Sequence, residues 1–180
     1  EPQEGSILID GIDISQIDPA DLRKKISYVP QDIHLFRNTI KNNILGSHKF
    51  VDDEWMIKCS KISGTDEFVR LHPMGYDMPI GERGAGLSGG QRQSVGIARA
   101  LINDSDIWLF DEPTNAMDQT SESNVLTNLK ENIENKTVLL VTQKMNMLDL
   151  VSRVIVMNNG EKVLDGAKLD VIKKLGANND

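Results

Sequence analysis

The sequence predicts an α/β fold built on a mostly parallel sheet. Short apolar runs alternate with segments of helical spacing along the chain, the pattern of strands joined by crossover helices. One run, Thr137–Val141, is apolar almost without interruption, as expected of a strand buried inside a parallel sheet. Another, Ile107–Phe110, ends abruptly in two carboxylates, Asp111 and Glu112.

The elements come in this order. Ser6–Asp10 alternates and stops at Gly11, a short strand and turn. Asp18-Pro19 is a helix start, with Asp18 as N-cap and Pro19 in the first position. Ile26–Val29 is a second strand, stopped by Pro30 and followed at once by Gln31. Thr39–Leu45 and Asp53–Leu71 have helical spacing; Gly64 divides the latter in two, and Trp55 is expected in the core. Ser88 caps a helix that carries Val95, Ile97, Ala98, Leu101 and Ile102. Ser121–Ile133 reads as a polar-faced helix and Leu148–Val151 as a short one. Arg153–Met157 and Glu161–Leu164 form a hairpin about Asn158-Asn159-Gly160. Lys168–Leu175 is a last helix before a polar tail.

Composition excludes some functions. The chain has 180 residues, 39% hydrophobic and 26% charged, enough for one domain with a real core. Its net charge of −7 and few aromatics give no footprint for nucleic acid. The single cysteine, Cys59, suits packing in a reducing compartment. His34, His48 and His72 lack metal-ligand spacing. No apolar run has the length of a membrane span. The N-terminus has no basic or apolar leader and reads as a cut end.

The chemistry concentrates in Leu87–Asp118. Leu87-Ser88-Gly89-Gly90-Gln91 opens a helix whose glycines let a backbone approach a ligand and whose free N–H groups suit phosphate. An aspartate at a strand end can hold Mg²⁺, and a glutamate beside it can take a proton from water. Phosphate donors, a metal carboxylate and a base thus share one stretch.

Leu87–Gln93 (LSGGQRQ), Ile107–Pro113 (IWLFDEP) and Asn115–Asp118 (NAMD) resemble the signature motif, Walker B motif and D-loop of ATP-binding cassette (ABC) ATPases, in that family's order and spacing. Tyr28–Phe36 resembles its Q-loop. The resemblance spans nearly the whole chain. It implies a P-loop NTPase-like sheet, residues 1–36 and 104–180, with an inserted helical subdomain over 37–103. It implies ATP and Mg²⁺ as ligands. Asp111 and Gln31 would contact the metal, Glu112 would act as general base, and Gln31 and Gln143 would complete the catalytic set. Leu87, Ser88, Gly89, Gly90 and Gln91 would face a nucleotide on a second subunit, as in a homodimer, with Asp118 at the same interface. Glu82 either meets the membrane domain, as its exporter counterpart does, or is a turn-exposed carboxylate; the sequence leaves both open.

Two departures from the family pattern matter. No G-x-x-x-x-G-K-[ST] loop occurs, nor any Gly-Lys pair, so the resemblance implies a chain that starts just after that loop and its helix. Gln143 stands where the family usually has histidine, and an amide cannot become cationic. Met74–Gly84, Ala116–Asp118 and Met145–Val151 resemble the ATPase/permease of bacterial type I secretion systems. That implies a permease domain upstream in the same polypeptide and a place on the cytoplasmic face of the inner membrane.

Three rival readings stand beside this one. Gly86–Gly90 also fits the G-x-S-x-G serine-hydrolase elbow, but no strand precedes Ser88 and all three histidines lie before it. A non-catalytic ABC module that gates or scaffolds is favoured by Gln143 and opposed by Asp111, Glu112 and Gln31. A soluble ABC ATPase acting on nucleic acid is opposed by the acidic balance.

Overall fold

The computed structural model describes residues 2–48 and 50–177; the end of the polar tail lies outside them. A small hairpin, β1 (Leu8–Ile9) and β2 (Ile12–Asp13), comes first. Helix α1 (Pro19–Lys25) starts where the Asp18 carboxylate accepts the Ala20 N–H at 2.7 Å. It runs directly into β3 (Ile26–Val29). A two-residue strand, β4 (Asn38–Thr39), leads into α2 (Ile40–Leu45). Helices α3 (Asp53–Ile62) and α4 (Thr65–Val69) flank Gly64. Strand β5 (Pro79–Ile80) pairs back onto β4, antiparallel. Then come α5 (Gly89–Leu101), β6 (Ile107–Asp111), α6 (Gln119–Asn132) and β7 (Thr137–Val141). Hairpin β8 (Arg153–Asn158) and β9 (Glu161–Ala167) and helix α7 (Lys168–Ala177) finish the chain.

The central sheet has the order β3-β6-β7, all parallel. Register sets Phe110 between Val29 and Leu140, and Leu109 between Tyr28 and Leu139. Because side chains alternate, Ser27, Val29, Trp108 and Phe110 share one face. That face is buried. Helix α5 is tied to it: the Ser27 hydroxyl donates to the Ala100 carbonyl at 2.5 Å, and the Ser105 hydroxyl lies 2.7 Å from the Ser27 oxygen. The core continues from this face through Val95 and Ile97 of α5 to Ile40 and Ile44 of α2 and Val69 of α4.

Several expectations change. Thr137–Val141, expected to be buried throughout, is an edge strand with Leu139 60% and Val141 56% exposed. The reason is alternation: only Val138 and Leu140 turn to the core side, and both pack against it. Leu71 falls beyond α4 and is exposed, because the chain leaves the helix at Arg70. Trp55 is half-buried, since its indole N–H reaches the Ile102 carbonyl at 3.2 Å at the edge of the core. The short helix near Leu148 is a 3₁₀ segment, Met145–Leu150. Helix α6 starts two residues earlier than its apolar spacing suggests, because Asp118 caps it. Cys59, by contrast, packs as expected: it is fully buried, and that burial pushes its thiol up to about 12.

Candidate functional site

In parallel strands all C-terminal ends lie along one edge, and there loops meet ligands. Here that edge gathers residues at or just past the ends of β3, β6 and β7: Gln31, the pair Asp111 and Glu112, and Gln143. Gln31 is exposed, Asp111 and Glu112 partly buried, Gln143 exposed. Glu112 has a positive φ of 45°. A non-glycine residue there is strained, and such strain collects at functional positions. Its own N–H donates to the Val141 carbonyl at 2.9 Å, and its carboxylate accepts the Gln143 backbone N–H at 3.1 Å. The Glu112 side chain is thereby held across the ends of β6 and β7. It is the main chain of residue 143, whatever its side chain, that makes this contact.

The signature segment forms a second locus. Ser88 and Gln91 cap one another: the Ser88 hydroxyl oxygen accepts the Gln91 N–H at 3.1 Å, and the Gln91 side-chain carbonyl accepts the Ser88 N–H at 2.9 Å. The remaining amides of the first turn, Gly89 and Gly90, have no partner within the helix. The glycines serve packing as well. A Cβ on Gly89 would lie 2.9 Å from the Ala116 Cβ, and one on Gly90 would lie 3.2 Å from the Ala116 carbonyl oxygen. The backbone they admit is that of the chain's own 116–117 segment. Leu87 turns inward and is buried in the core.

Asp118 caps α6, accepting the Thr120 and Ser121 amides at 3.0 Å each and the Ser121 hydroxyl at 2.7 Å. The Ser121 amide, then its hydroxyl, hold the Asp118 carboxyl below its ordinary value. Ser88, Gly89, Gly90, Gln91 and Asp118 line one cleft of roughly 410 Å³, whose far wall is Glu67 and Phe68 of α4. Glu82 does not line that cleft; it is exposed in a 3₁₀ turn, Glu82–Gly84.

Gln93 joins the two loci, and sequence reasoning missed it. It is buried in α5; its amide N–H donates to the Glu112 carbonyl at 3.3 Å and its carbonyl accepts the Ala116 N–H at 2.7 Å. A polar residue four positions before Ile97, on the inward face of a helix, was the available signal. Gly96 makes a third link: a Cβ there would fall 2.5 Å from the Ile33 Cδ1, so α5 touches the loop that carries Gln31. Glu122, also missed, is 5% exposed and takes hydrogen bonds from Lys144 and Asn146. It shares a helix face with Val125 and Leu129, which spacing alone could have shown.

For Mg²⁺ the fit is partial by design of such sites. The ion takes one or two protein oxygens and fills its shell with phosphate and water. Asp111 and Gln31, at the ends of neighbouring strands, are oxygen donors of the right kind. Among the described residues no cluster of three or more His, Cys, Asp or Glu could hold a metal unaided.

A parallel sheet with this edge, beside a helix opened by Ser-Gly-Gly-Gln and a capped D-loop, is the framework of an ABC-type ATP-binding domain. The chain belongs to the ABC transporter family, whose sequence model matches residues 1–115. It is 38% identical over 172 residues to the leukotoxin export ATP-binding protein LtxB of Aggregatibacter actinomycetemcomitans. It is 39% identical over 173 residues to the alpha-hemolysin translocation ATP-binding protein HlyB of Escherichia coli O157:H7. Each match takes in 96% of this chain and 24% of the relative, so the chain spans about a quarter of their length. The solved structure of a bacterial Atm1-family ABC exporter with ATP bound matches with a TM-score of 0.91 at 33% identity, over 97% of this chain and 31% of that one. Among the described residues no helix is long and apolar enough to cross a membrane.

Proposed function

We propose that this chain is the larger part of the nucleotide-binding domain of an ABC exporter that couples ATP binding and hydrolysis to protein export of the type I secretion kind. Relatives named for toxin export and translocation support the transport reading. The observation that carries the ATPase reading is the strand-end edge, where Glu112 is braced by the Gln143 N–H at 3.1 Å beside Asp111.

Glu112 is the general base that polarises the attacking water. Asp111 and Gln31 would hold Mg²⁺, which supplies charge neutralisation of the phosphates. Residues 37–103 form the helical subdomain, and 1–36 with 104–180 the core. Ser88 to Gln91 and Asp118 are presented to a nucleotide bound by a second copy of the domain, with Leu87 packing beneath them. The permease lies upstream in the same polypeptide, at the bacterial inner membrane, with this domain on its cytoplasmic face and Glu82 toward the coupling contact.

One observation favours the second reading, a module that binds ATP without turnover: Gln143 offers only a neutral donor where histidine could carry charge. A single experiment separates the two. In the complete exporter, Glu112→Gln is expected to lower steady-state ATP hydrolysis by about 10²–10⁴-fold while ATP binding persists. Equal turnover in the two proteins moves the base elsewhere; no turnover in either supports the non-catalytic module.

A further inference from the structure

A carboxylate is rarely buried unless a partner compensates it. Glu122 is 5% exposed, in the first turn of α6, where its N–H bonds the Asp118 carbonyl at 2.9 Å. Its carboxylate accepts hydrogen bonds from the Lys144 ammonium and the Asn146 amide. Burial pushes this carboxyl up, but hydrogen bonds from Lys144, Asn146 and Thr114 outweigh it and hold the group below the ordinary glutamate value. The Lys144 ammonium also donates to the Thr114 carbonyl at 2.9 Å, and the Lys144 N–H donates to the Thr142 hydroxyl at 3.0 Å. The 142–146 loop is therefore clamped at two points: to α6, and to the segment two residues past Glu112. Gln143, whose N–H holds the Glu112 carboxylate, is the residue just before Lys144.

We propose that Glu122 is a positioning residue for hydrolysis: through Lys144 it fixes the loop whose Gln143 N–H orients the Glu112 carboxylate. The inference rests on the reading of Glu112 as general base. Glu122 touches none of the reacting atoms. It acts by setting where one backbone N–H stands, and without the clamp Glu112 is free to turn from its braced position. A merely structural ion pair would behave differently: its loss would lower stability and leave turnover per folded molecule unchanged.

The test uses the complete exporter, with Glu122→Gln, which keeps shape and removes charge, and Lys144→Arg, which keeps charge. Steady-state ATPase, thermal unfolding and hydrogen exchange are measured together. Glu122→Gln is expected to lower kcat about tenfold or more with KM within about threefold, the signature of an interaction lost in the transition state. Backbone exchange is expected to quicken over residues 142–146 and not across the sheet. Lys144→Arg is expected to keep most of the activity. Unchanged kcat in Glu122→Gln, or exchange quickening throughout the domain, overturns the proposal. The Glu112→Gln control keeps the two readings apart: if that variant hydrolyses ATP like the parent, the base assignment fails and this inference with it. If only Glu122→Gln retains full kcat, the clamp alone fails. Should Glu122→Gln not accumulate as folded protein, Lys144→Met carries the same expectations.

Discussion

On one face of the central sheet Val29, Trp108 and Phe110 are buried in the core; on the other, Tyr28, Leu139 and Val141 are 55, 60 and 56% exposed. Both faces are written in the same apolar residues. A one-sided sheet normally alternates apolar with polar, whereas a parallel sheet covered on both sides does not. Strand composition therefore records the cover a sheet is built for, and a structure records the cover it has. The contrast also locates the chemistry. The candidate base sits just past the end of β6, the middle strand, which has bonded strands on both sides and a covered face. Its bracing partner hangs from β7, an edge strand, and in our proposal the Glu122–Lys144 clamp holds its loop.

The sharpest way to test the contrast is to truncate the covered face. Phe110 is 1% exposed and lies against Trp108, ring centroids 5.7 Å apart. Phe110→Ala is expected to cost about 3–5 kcal/mol through lost burial and the cavity left behind. Urea unfolding followed by circular dichroism reads this directly. A cost near that of a surface change would mean that the two faces differ less than their exposure suggests.

A smaller effect is expected where α5 is tethered. The Ser27 hydroxyl joins β3 to the Ala100 carbonyl, with Ser105 beside it. Ser27→Ala leaves that helix carbonyl without its side-chain donor in a buried place, at a cost of about 1–3 kcal/mol. The same unfolding curve measures it. A neutral result would show that Ser105 takes over the contact.

Much of this was legible in the sequence. Apolar runs located β3, β6 and β7, and capping residues located the starts of α1 and α5, because both signals act within a few residues. The four residues gathered at the sheet edge are there because parallel pairing must align strand ends. What stayed hidden depends on long-range partners. Gln93 and Glu122 look like ordinary polar helix residues until the loops 23 and 22 positions away fold onto them. The tightness at Gly96 exists only because Ile33 arrives from another loop. The exposure of Leu139 could not be read either: an apolar strand says what it favours, not what is present to cover it.

The smallest expected effect probes the exposed face itself. Leu139 sits in register with Leu109 on that face. Leu139→Thr replaces a large apolar side chain by a β-branched polar one. It loses what contact Leu139 keeps with its neighbours, and gains strand propensity and a better match to water. These terms oppose each other, so the stability of this chain is expected to change by no more than about 0.5 kcal/mol, the range of ordinary surface substitutions. The same change at a buried leucine would cost several times more, of the order of the 2–5 kcal/mol that core truncations cost. A large loss at Leu139 would therefore mean that the face is covered in solution. Repeating the measurement across protein concentrations then identifies the cover: stabilisation that grows with concentration points to a second copy of the chain, because binding that favours the native state stabilises by mass action. A large loss independent of concentration would place the cover within the chain itself. A near-zero change would leave the face as bare in solution as its side chains indicate.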